Sequence, residues 1–135
     1  MSSAFDIKIL SIPVPDPGGD NKQLYLFRAP TDAQGGGITI LSAAAHNGAT
    51  TAGGTTFSYQ LRKYSSAGTP ALNGTITSVL GGTTSYWAAG VPKAFTLGAD
   101  VFIDAGEWVV LDYQEDAAGN PTNSHINIQY VMGKA

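Results

Sequence analysis

The chain has 135 residues, a formal net charge of −3, no cysteine, 43% hydrophobic residues and only 13% charged ones. That length suits one domain with a core of its own. The missing cysteines exclude disulfides and thiolate chemistry, and the lack of a basic run argues against a phosphate-neutralising nucleic-acid surface. Charged residues average about 25% in globular chains, and the shortfall has two readings: a surface covered by other chains, or Gly, Ser, Thr and Asn replacing Lys and Glu in an all-β protein.

In chain order, MSSAFDIKIL has neither the basic start nor the unbroken apolar run of a signal peptide, so synthesis in a cytosol is the expectation. Residues 5–12 alternate, with Phe5, Ile7 and Ile9 on one side and Asp6 and Lys8 on the other, predicting a short strand or an extended arm. PVPDPGGDN follows. Pro13, Pro15 and Pro17 fix φ and remove donors, which keeps this piece extended and out of central ladder positions. Two arrangements fit: residues 1–20 as an arm and hinge lying along a neighbour, or a first strand and loop on the chain's own domain.

Strands are predicted at 23–28, 38–45, 56–64, 75–80, 93–97 and 100–104, with 84–89 carrying Tyr86 and Trp87 between glycines. On 56–64, Phe57, Tyr59 and Leu61 face inward and Ser58, Gln60 and Arg62 outward. Asn73-Gly74 has the composition of a type I′ hairpin turn, and AAAHNGA has room for one helical turn. The triple glycine 35–37 lacks the GK[ST] and the helix of a phosphate cradle. No apolar run approaches the roughly 20 residues of a membrane helix.

The organising stretch is Val101–Met132, read as a long hairpin of two strands. Ile126, Ile128, Tyr130 and Met132 share one face of the second strand, with His125, Asn127 and Gln129 on the other. In the first, Trp108 to Leu111 are apolar in succession, so both faces are covered, and Trp108 is placed in the core on Val110's face. The count of about eight to ten strands at this spacing predicts an all-β single-domain sandwich or barrel.

Chemistry is sparse. His46 and His125, with Asp104, Glu107 and Asp112, are the candidate ligands of a cupin-like metal site. That site needs two histidines spaced by one residue on one strand, and none exist, so the histidines read as solvated. The acid pairs Asp104/Glu107 and Glu115/Asp116 read as solvated strand ends rather than glycosidase carboxylates. Asp116, Asn120 and Asn123 do not have the spacing of a calcium loop. No GxSxG elbow occurs. The expectation is a non-enzymatic protein without cofactor. Tyr86 and Trp87 remain candidates for exposed aromatic contacts with a sugar, or for core filling.

The runs FIDAGEWVVLDYQED and SHINIQYVMG, with Ala105-Gly106-Glu107 as the tight turn feeding a long strand, resemble the closing strands of the small jelly-roll proteins that decorate tailed-phage heads. The likeness covers the C-terminal third, and the remainder only in composition. It implies an eight-stranded jelly roll over 21–135 and a homo-oligomer, with a trimer favoured. It also implies a major capsid protein as partner and a place on the virion surface after assembly in the host cytoplasm. The N-terminal arm of such a protein would supply the partner contacts, here Phe5, Ile7, Ile9, Pro13 and Pro15. The alternative is a carbohydrate- or receptor-binding sandwich of a phage tail or fibre.

Overall fold

The computed structural model describes residues 6–14, 22–47, 57–67, 69–82, 90–115 and 124–134. Ten strands account for most of them: β1 (Lys8–Val14), β2 (Lys22–Arg28), β3 (Ile38–His46), β4 (Phe57–Tyr64), β5 (Leu72–Thr75), β6 (Leu80–Gly82), β7 (Lys93–Ala94), β8 (Phe102–Ile103), β9 (Trp108–Glu115) and β10 (Ser124–Met132). They form two antiparallel sheets. The first, sheet A, runs β1-β10-β3, with β7 and β8 end to end along the far edge of β3. Sheet B runs β2-β9-β4, with β5 and β6 along the far edge of β4. The fold is an all-β sandwich.

Period-two patterning explains how the sheets meet. Ile126 and Ile128 of β10, Ala43 and Ala45 of β3, and Ile12 and Val14 of β1 point inward from sheet A. Val109, Leu111 and Tyr113 of β9 and Tyr59 and Leu61 of β4 meet them from sheet B. Burial of each large aliphatic side chain contributes roughly 1.5–3 kcal/mol, so the two central strands, β9 and β10, carry much of the core. A buried polar chain crosses between the sheets at one end: the Tyr59 hydroxyl donates to Ser124 Oγ at 3.0 Å, and Ser124 donates to Asn47 Oδ1.

The expected long hairpin does not form. β9 and β10 lie in opposite sheets and face each other across the core, each flanked on both sides, β9 by β2 and β4 and β10 by β1 and β3. Paired edge to edge, the two strands would set their apolar faces side by side in one sheet. Placed face to face, they bury them in each other.

Smaller differences follow from local contacts. Asn73 and Gly74 are part of β5, opposite the end of β4, rather than a turn. Ser65 N–H donates to Ala71 O at 2.8 Å, closing the connection from β4 to β5. A Cβ at 74 would stand 2.8 Å from Lys63 Cε, so a larger residue there would push the lysine side chain aside. AAAH belongs to β3, and the helical turn among the described residues is a single 3-10 turn at Asp32–Gln34. The turn at 104–107 forms as expected, with Gly106 at φ +80° and Glu107 N–H donating to Asp104 O at 3.0 Å.

The two side edges of the sandwich differ. Along the β5/β6 and β7/β8 side, Thr77 bridges Leu97, Ser78 N–H donates to Thr96 O at 3.0 Å, and Gly98 N–H donates to Ile76 O at 2.8 Å. These bonds join the sheets. On the other side, among the described residues, β1 and β2 are edges with no strand or backbone bond joining them. Residues 8–14 form β1 within the sandwich, while 1–5 and 15–21 lie outside the described residues.

Candidate functional site

The outer face of sheet A is a grid set by register. Ile9, Gln129 and Ser42 lie abreast, then Ser11, Asn127 and Ala44, then Pro13, His125 and His46. None of the nine is Lys, Arg, Asp or Glu. Ile9 is 69% exposed and Ile7, just before β1, 56%. Pro13 is tolerated because β1 is an edge strand, where a missing donor breaks no inner ladder. Of the residues expected to contact a partner, Ile7, Ile9 and Pro13 are therefore exposed together. Phe5 and Pro15 lie outside the described residues.

His46 and His125 are not separately solvated. Their register sets them opposite each other, and the rings stack with centroids 5.4 Å apart and planes 10° apart. Among the described residues, no group of three or more His, Cys, Asp or Glu side chains is placed to hold a metal ion, and no helix is long and apolar enough to cross a membrane.

Glu107 also departs from the expectation of a solvated strand end. It is 4% exposed, accepts from Asp104 N–H at 2.8 Å and from Asn73 Nδ2, and lies 3.8 Å from Lys63 Nζ. Lys63 in turn donates to Phe102 O at 3.0 Å. Lys63 and Asn73 belong to sheet B, while Phe102 lies on β8 of sheet A and Glu107 in the turn that follows it, so the cluster clasps the joined edge. Buried charges persist when paired and hydrogen-bonded, and this pair has a structural task.

The outer face of sheet B carries the second feature, an open cleft of about 280 Å³. Its floor is again a grid: Ser58 opposite Gln114, Gln60 and Gln23 flanking Asp112, with Arg62 and Tyr113 completing the lining and Tyr25 just outside it, across Val110 from Arg62. Val79, from the β5–β6 connection, lines it as well. Arg62 Nη1 lies 3.0 Å from Asp112 Oδ2, while Arg62 Nε and Asp112 Oδ1 are buried with no partner among the described residues. Burial raises the Asp112 pKa and Arg62 pulls it back. Burial, with the Asp112 charge nearby, likewise raises that of Tyr64.

Trp108 stands on this outer face, correcting its expected place in the core. It does share Val110's face, but that face points away from sheet A, because Val109, Leu111 and Tyr113 are the inward residues of β9. Trp108 packs edge-on to Tyr25 at 5.5 Å and lies under the Arg28 guanidinium, 5.8 Å from the ring centroid. Both faces of β9 are covered, as its apolar run predicts, with Val109, Val110 and Leu111 fully buried. The exposed-aromatic candidates Tyr86 and Trp87 lie outside the described residues, as do Asp116, Asn120, Asn123 and the side chain of Glu115.

Sequence reasoning named Arg62, Gln60 and Ser58 only as outward residues and Asp112 only as a candidate metal ligand. Their convergence depends on β2, β4 and β9 being neighbours, which alternation alone does not specify. Compared with known proteins, the chain matches no family model, no curated protein and no solved structure.

Proposed function

We propose that this protein is a non-enzymatic virion component that decorates a phage capsid as a homo-oligomer, with the β1 edge and the outer face of sheet A as its contact surface. The observation that carries the reading is the exposure of Ile7, Ile9 and Pro13 on an edge that no described strand joins, beside nine outer-face positions without formal charge. Exposed strand edges and apolar side chains invite pairing unless a partner covers them. Many weak contacts repeated over a lattice add up to firm attachment.

The strand order supports the jelly-roll part of the proposal. Counting β5 with β6 and β7 with β8 as one interrupted strand each, eight strands remain, arranged four and four in two sheets. Trimer formation, a major capsid protein as partner and a place on the virion surface belong to the same proposal.

Deleting residues 1–20 would remove β1 from its sheet, so point substitutions are the sounder test. The wild-type chain should show a trimer mass in sedimentation at rising concentration and should co-sediment with shells assembled without it. Ile9→Lys should weaken both while leaving the melting temperature in place. A wild-type chain that stays monomeric at every concentration and ignores shells would overturn the proposal.

A further inference from the structure

We propose that the cleft on the outer face of sheet B binds a neutral carbohydrate, one or two rings at a time. The site is separate from the assembly surface, which lies on the opposite sheet. Its chemistry selects the ligand. Among the described lining residues the one cation, Arg62, is already paired with the one anion, Asp112, at 3.0 Å, so they offer no net charge to an acidic or basic ligand. What remains is a dense set of neutral donors and acceptors, which an apolar ligand would leave unsatisfied.

The amides are held in place. Gln23 Nε2 donates to the Tyr64 hydroxyl at 2.6 Å and Gln60 Nε2 to Thr77 O at 3.1 Å. Each keeps a second N–H and a carbonyl oxygen without a partner among the described residues, and the Gln114 side chain makes no hydrogen bond there either. A carboxamide presents a donor and an acceptor side by side, which suits adjacent sugar hydroxyls that both give and accept hydrogen bonds. The unpartnered Asp112 Oδ1 and Arg62 Nε beneath them add one acceptor and one donor, and such buried atoms call for a polar ligand or water.

Apolar surface completes the pattern. Val79 is exposed in the lining beside the amides, and Tyr25, 43% exposed, stands at the rim just outside it, across Val110 from Arg62. Tyr25 is held edge-on by Tyr64 and Trp108 at 5.8 and 5.5 Å. Fixed aromatic rings of this kind stack against the C–H face of a pyranose. A volume of about 280 Å³ lies just below the roughly 300–1,000 Å³ of typical ligand pockets. It therefore fits a chain end or a short segment, with the remainder in solvent.

The test is a titration of the full-length, isotope-labelled chain with glucose, galactose, mannose and N-acetylglucosamine, followed by the side-chain amide signals of Gln23, Gln60 and Gln114 and the Arg62 Nε–H signal. At least one of these sugars should move these signals saturably. Gln60→Ala or Gln114→Ala should weaken that binding roughly two- to tenfold, the loss of one hydrogen bond, without altering the amide spectrum of the core. Tyr25→Ala should weaken it as well, and Ile9→Lys should leave it unchanged. Silence with all four sugars, tighter binding of glucuronate than of glucose, or shifts confined to other surfaces would overturn the proposal. Because Ile9 and the cleft lie on opposite sheets, loss of shell attachment and loss of sugar binding are separately observable.

Discussion

The two side edges of this sandwich solve the same problem in opposite ways. Where β5 and β6 approach β7 and β8, backbone bonds through Thr77, Ser78 and Gly98 pass from one sheet to the other, and the Lys63–Glu107–Asn73 cluster fastens one end. Where β1 and β2 approach, no such bonds form among the described residues. An apolar seam of about 380 Å³ lined by Ile12, Val14, Leu24 and Leu26 lies between them. An edge that satisfies its own backbone has nothing to offer a partner. An unjoined edge with Ile9 on its surface does, so the contrast locates assembly on one side and internal stability on the other.

Breaking the joined edge should have the largest effect. Glu107→Ala leaves Lys63 buried without its anion and Asn73 without its acceptor, and should cost roughly 3–5 kcal/mol in denaturant unfolding. Recovery of wild-type stability in that variant would mean the clasp is not holding the sheets. Thr77→Val is the milder break. The Thr77 hydroxyl accepts from Leu61 N–H at 3.1 Å and donates to Ser78 O at 2.8 Å, so its loss strands buried groups and should cost about 1–3 kcal/mol. On the unjoined side, by contrast, Ile9→Lys should change unfolding stability by less than about 0.5 kcal/mol.

The smallest effect concerns pH. Burial holds the folded Asp112 carboxyl above the ordinary aspartate value, with Arg62 opposing, so the folded chain binds this proton more tightly than the unfolded chain does. The stability this group contributes is complete below the ordinary aspartate pKa and is lost as pH rises through the raised one. Asp112→Asn should remove that slope from a denaturation series across the acid range. An unchanged slope would show that Asp112 is not the group responsible.

Much of the fold was readable in the residues. The alternation of Tyr59 and Leu61 with Ser58, Gln60 and Arg62 marks β4 and both of its faces, and Ile126 and Ile128 mark the buried face of β10. The Asp104–Glu107 turn was readable from Gly106. Less of the site was readable. The cleft needs Gln23, Gln60 and Asp112 abreast on three strands far apart in sequence, and no local pattern encodes that. Glu107 looked like a solvated acid because its partners, Lys63 and Asn73, arrive from strands 30 to 45 residues earlier.

The sequence by itself determined that the chain would form short strands with one apolar face each, since side chains on a strand point alternately to its two sides and burial rewards the apolar set. It also determined that the nine outward positions of β1, β10 and β3 carry no charge. Only the tertiary structure decided which strands became neighbours. It placed β9 and β10 in opposite sheets and turned Trp108 outward. It joined one edge and left the other unpaired, because face-to-face burial of two central strands removes more apolar surface from water than pairing them side by side.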